Sequence, residues 1–132
     1  MTIPADVLAY NQAQTADQAL ICEALAELFV KVVPAAEGKV WHGHPVWFLD
    51  QNPVVGYSIK KSGVQVLFWS GQSLEGPGLV PLGKFKAASW DVADLASVQA
   101  PELTKWLGQV SAIQWDYKSL PKLKKLEKLT QF

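Results

Sequence analysis

His42 and His44, either side of Gly43, are the side chains whose type and spacing come closest to chemistry in this 132-residue chain. Residues two apart on a strand point to the same side, and two imidazoles so placed could share one transition metal. A structural metal site needs three or four protein ligands. No third ligand is marked by spacing, so Asp50 or Glu37 would have to be brought in by the fold, and Pro45 bends the strand that carries the pair. The sequence therefore predicts no metal and no cofactor, with His42 and His44 as hydrogen-bonding groups on the wall of a cleft.

Two further runs come near a catalytic motif and miss it. Gly78-Leu79-Val80-Pro81-Leu82-Gly83-Lys84 has the glycine and lysine spacing of a phosphate loop, but Phe85 stands where a magnesium-binding hydroxyl is required. Such a loop also opens a helix, whereas Lys84 is predicted to begin a strand. In Gly71-Gln72-Ser73-Leu74-Glu75 the second glycine of a nucleophile elbow arrives one residue late, at Gly76. Ser73 reads better as the N-cap of a turn containing Glu75. With no base placed for either motif, the sequence predicts a protein that is not an enzyme.

The aromatic residues Trp41, Trp47, Phe48, Tyr57, Phe68 and Trp69 crowd one stretch of the chain. Strict alternation along one strand puts Trp41 and Trp47 on the face opposite Phe48. One face supplies core. The other, left open, makes an apolar cleft edged by polar groups, the common form of a small-ligand site. The candidate ligand-binding residues are Trp41, His42, His44, Trp47, Phe48 and Trp69, with the Gly71 to Gly83 loop as the facing wall.

Positioning these residues falls to a recognisable set of elements. A short helix is expected from Ala5 to Ala13. Thr15 and Gln18 have capping-box spacing, and the helix they open carries Leu20, Ile21, Ala24, Leu25, Leu28, Phe29, Val32 and Val33 on one stripe until Pro34 stops it. From Lys39 to Ser70 the period becomes two, with turn chemistry at Asp50-Gln51-Asn52-Pro53 and Lys61-Ser62-Gly63, so three hairpin-linked strands are predicted. Val64 to Trp69, apolar on both faces except at Gln65, belongs in the middle of the sheet.

The glycine-rich loop and a fourth strand near Lys84 to Trp90 follow, then a brief helical turn after Asp91 or Ala93. Pro101-Glu102 opens a second long helix through Leu103, Trp106, Leu107, Val110, Ile113 and Tyr117. A last short helix is expected from Ser119 and Pro121, with Leu120, Leu123, Leu126 and Leu129 among lysines. Amphipathic helices around paired strands make an α+β domain: a mostly antiparallel sheet of about four to five strands, covered by N- and C-terminal helices.

Composition bounds the remaining possibilities. The length fits one domain over residues 1 to 132, and no apolar run approaches a membrane span. No signal peptide is read at Met1 to Asp6, and the lone Cys22, taken as a small semi-buried side chain, suits a reducing compartment. A cytoplasmic protein without a membrane partner is expected. Charge balances at 12 basic and 12 acidic residues, and since every basic residue is lysine, the forked arginine contacts of nucleic-acid recognition are missing. The lysines gather in residues 118 to 128, a solvated face or a docking surface for an anionic partner.

The run from Val33 to Phe48, with Trp41-His42-Gly43-His44-Pro45 at its centre, resembles the signature of the YdhG-like domains. Val66-Leu67-Phe68-Trp69-Ser70-Gly71 and the Gly78 to Lys84 stretch are also similar to the strand and glycine-rich loop of that family, so the resemblance covers about residues 15 to 118. It implies a compact helix-sheet-helix fold. It also implies, through one branch, an iron-carrier role that needs clustered carboxylates. In this chain only Glu23 and Glu27 form a same-face acidic pair, with Lys31 beside them.

The leading functional expectation is a small-ligand binding or carrier domain of the YdhG-like type. The alternative is a protein-interaction or oligomerisation module, for instance a homodimer, docking through the aromatic face or through residues 119 to 132.

Overall fold

A computed structural model describes residues 3–60, 63–76, 78–82 and 86–117. The expected turn at Lys61-Ser62, the start of a strand at Lys84 and the last leucine-rich helix lie outside the described residues.

Helix α1 spans Ala5–Gln12 and α2 spans Ala16–Val32. Thr15 occupies the N-cap of α2 as its position suggests, though its side chain makes no capping hydrogen bond. At the other end Val33 leaves helical geometry at φ −122°, ψ 67°, as a residue preceding proline must. The buried stripe of α2 is Ile21, Cys22, Leu25, Ala26 and Phe29. It is turned from the expected stripe: Leu20 is 52% exposed, whereas Cys22 is fully buried rather than semi-buried.

Six strands form one antiparallel sheet in the order β1-β2-β3-β4-β6-β5, more than the four to five expected. They are β1 (Glu37–Trp41), β2 (His44–Leu49), β3 (Asn52–Lys60), β4 (Gly63–Phe68), β5 (Val80–Pro81) and β6 (Ala88–Val92). One extra strand arises because the stretch read as a single strand is folded back at His42-Gly43. Another is the two-residue β5, which pairs with β6 inside what was read as loop. The fourth expected strand is β6, which spans Ala88–Val92 among the described residues. As predicted, β4 is internal, flanked by β3 and β6.

Among the described residues, α1, α2 and the helix opened by Pro101 pack on one face of the sheet together with a short 3₁₀ turn at Leu95–Gln99, which Asp94 caps through Ser97 N–H at 2.9 Å. Phe29 stands edge-on to Trp47, ring centroids 5.1 Å apart, and Tyr57 lies 5.9 Å from the same indole. Burying side chains of this size contributes roughly 1.5–3 kcal/mol each. Gly38 makes the arrangement possible, since a Cβ there would meet Trp47 Cε2 at 2.7 Å. Asp6 ties α1 to the sheet edge: its carboxylate accepts from Val7 N–H at 2.9 Å and from Val40 N–H of β1 at 2.8 Å. An edge strand is thereby partly covered.

Helix α3 spans Pro101–Gln109, so the stripe expected to run on to Tyr117 stops two turns early. Side-chain tethers take over from the helix ladder. Asn52 Nδ2 donates to Gln114 Oε1 and to the Trp115 carbonyl, both at 3.0 Å, and Trp115 N–H donates to Ser70 Oγ at 2.9 Å. The Trp115 indole N–H donates to Ser73 Oγ at 3.0 Å. Ser73 is therefore an acceptor at the end of the 3₁₀ turn Gly71–Ser73, not the N-cap expected of it. These bonds lead the chain past the ends of β3 and β4, and Tyr117 reaches the sheet face opposite the described helices.

Candidate functional site

The sheet face opposite the described helices is shaped by the β1–β2 hairpin. His42 and Gly43 form its two-residue turn with φ of 53° and 85°. Positive φ at both central positions gives the turn whose twist suits tightly joined antiparallel strands. The next connection repeats the device with Asp50 and Gln51 at φ 48° and 68°. Because the first turn reverses the chain, Trp41 pairs with His44, Lys39 with Val46 and Glu37 with Phe48. Side chains of paired residues share a face. Trp41 and Phe48 are thus neighbours, and Trp47 is on the other side.

Of the six candidate residues, the structure brings Trp41, Phe48 and Trp69 together. The Trp41 and Phe48 rings meet edge to face at 5.4 Å, and Trp69 stands 6.3 Å from Trp41. Trp47 is corrected to a core residue, 1% exposed beneath Phe29. His42 and His44 do not share a strand face, because His42 occupies the turn. His42 is exposed and lies against Trp41 at 4.2 Å. His44 is half-buried with its Nδ1 lacking a hydrogen-bond partner, and burial pulls its pKa below the usual 6.5. Among the described residues no three His, Cys, Asp or Glu side chains gather closely enough to hold a metal ion.

In front of Trp41 and Phe48 lies a cleft of about 400 Å³. Its floor is aromatic, Pro53 adds a rigid apolar wall, and Glu37, Lys39 and Gln51 supply polar groups at the margin. Lys39 Nζ sits 4.8 Å above the Phe48 ring, a cation held over a π face. The last wall is Tyr117, not the Gly71 to Gly83 segment that the sequence suggested. The phenol oxygen of Tyr117 accepts from Lys86 N–H at 3.0 Å. Burial raises its pKa, so it remains a neutral hydroxyl at physiological pH. Beside it Lys86 Nζ lies 4.9 Å over the Trp115 ring.

The arrangement can stack a flat apolar group and orient it with a few hydrogen bonds and one movable cation. No family model matches the chain, and no similarity to a curated protein or a solved structure was found. No helix among the described residues is long and apolar enough to cross a membrane.

Sequence reasoning missed Lys39, Gln51, Pro53 and Tyr117 as site residues. Lys39 had a signal. A His-Gly dipeptide between alternating runs can close a hairpin, and placing the turn there aligns Lys39 and Trp41 with β2. Tyr117 had none, since its helical spacing from Val110 and Ile113 pointed to a core stripe.

Proposed function

We propose that this chain is a non-enzymatic, cytoplasmic small-ligand binding or carrier domain of the YdhG-like type, taking a flat, largely apolar ligand into the cleft in front of Trp41 and Phe48. The observation that carries the reading is the packed pair of Trp41 and Phe48, backed by Trp69 against Trp41, on the sheet face opposite the described helices, with Trp41 and Phe48 lining about 400 Å³ of space. Trp41 is partly exposed at this cleft, and Lys39 holds a cation over the adjoining Phe48 ring. Pockets of this size with an apolar lining and a few polar groups suit small organic molecules. The buried free thiol of Cys22 is compatible with a reducing compartment.

The test is a panel of aromatic and heteroaromatic metabolites, followed by tryptophan fluorescence and by melting temperature. A ligand that binds only the native state raises the melting temperature, and the rise grows with the logarithm of ligand excess. Binding of at least one class of flat compound is expected. If no member produces a shift at millimolar concentration, the proposal fails.

A further inference from the structure

The Trp106 indole is 1% exposed, yet its Nε1–H has no hydrogen-bond partner. Leaving such a donor buried and unpaired is unfavourable, because its bond to water is lost and not replaced. Its ring is fixed by packing: Phe68 lies 6.0 Å away and Trp90 5.8 Å away, both near edge-on. That leaves the orientation of the N–H settled by the core and unexplained by it.

The N–H is aimed at a built hollow. Gly76, at φ 118°, is the residue in front of it, and a Cβ there would lie 3.1 Å from Nε1 and 3.9 Å from Lys105 Cδ. The missing side chain thus leaves open the space between an indole donor and a lysine stem. This space belongs to a pocket of about 190 Å³ lined by Gly76, Pro101, Glu102, Lys105 and Trp106. It lies on the helix side of the sheet, so it is separate from the aromatic cleft and does not rest on the function proposed for that cleft.

We propose that this pocket binds the carboxylate of a small organic acid, one oxygen accepting from Trp106 Nε1–H and the charge facing the Lys105 ammonium. A charged acceptor uses both groups, and hydrogen bonds to an ionised partner are the stronger kind. A neutral carbonyl would leave the lysine unused. Glu102 on the rim opposes a dianion, and the volume admits a short monocarboxylate.

The six tryptophans of the full chain give separable indole N–H signals in a ¹H–¹⁵N correlation spectrum. Acetate is the probe, with sodium chloride at equal ionic strength as control. The signal lost in Trp106→Phe should move saturably with acetate, with half-saturation below about 50 mM, a weak but measurable affinity. The other indole signals should stay nearly still. Lys105→Ala, at an exposed position that leaves the core intact, should weaken the affinity about fivefold, the scale of one partly exposed charge contact. A Trp106 signal that does not move, that moves equally with chloride, or that saturates unchanged in Lys105→Ala would overturn the proposal.

Discussion

Trp41 and Phe48 stand edge to face, ring centroids 5.4 Å apart and planes at 77°, on the side of the sheet opposite the described helices. Their contact depends on the His42-Gly43 turn, which sets the register of β1 on β2. Gly43 at φ 85° occupies a conformation that disfavours side chains with a Cβ, most of all branched ones. Gly43→Val should therefore destabilise the protein by about 1–2 kcal/mol and weaken the exciton signal of the aromatic trio. Asparagine tolerates positive φ, so His42→Asn should leave stability equal or slightly higher. Urea unfolding with near-ultraviolet circular dichroism measures both effects.

A second prediction concerns the polar contact between α1 and the sheet. Tyr57 O–H donates to Asn11 Oδ1 at 2.6 Å, and both residues are fully buried. The Asn11 amide nitrogen has no partner of its own, so this bond satisfies the side chain only in part. Tyr57→Phe should cost about 1–3 kcal/mol, because it strands a buried acceptor. Adding Asn11→Leu to that variant should recover part of the loss, since removing both polar partners is cheaper than removing one. Comparing single and double variants by denaturant titration yields the coupling directly.

Burial also makes stability depend on alkaline pH. The Cys22 thiol, ordinarily near 9.0, is pushed up to about 12 by burial, with a smaller contribution from Glu23. Tyr57 is raised from 10.0 for the same principal reason. Above pH 9 the unfolded chain releases these protons while the folded protein keeps them. Stability contributed by the protonated thiol is complete below pH 9 and is lost as pH rises towards 12. The slope approaches about 1.4 kcal/mol per pH unit for each such group. Cys22→Ala should flatten the decline between pH 9 and 10, before Tyr57 contributes, and native protein should resist thiol reagents until it unfolds.

Much of this framework was legible in the chain. Thr15 and Pro34 bracket α2 at its observed ends, and the period-two run with its turn residues identifies the hairpins. Strand parity was not legible. Reading His42 to His44 as continuous strand put Trp41 and Trp47 together, whereas the reversal at Gly43 puts Trp41 on the same face as Phe48 and sends Trp47 beneath Phe29. Alternation fixes faces only relative to a correctly placed turn, and one misplaced turn reassigns a whole strand. The end of α3 was hidden for a different reason. Asn52, Ser70 and Ser73 hold Gln114 and Trp115 by contacts more than 40 residues distant in sequence, which no local periodicity encodes. Tyr117 reaches the cleft only through those tethers.

The central claim is that the cleft before Trp41 and Phe48 takes a ligand. Its most direct test is to titrate each fluorescence-active compound into wild type, Trp41→Ala and Trp106→Phe. Removing a central aromatic anchor typically costs 2 kcal/mol or more, so Trp41→Ala should weaken binding by about 30-fold, while Trp106→Phe on the opposite side of the sheet should leave it unchanged. Binding that survives Trp41→Ala at full strength would contradict the account.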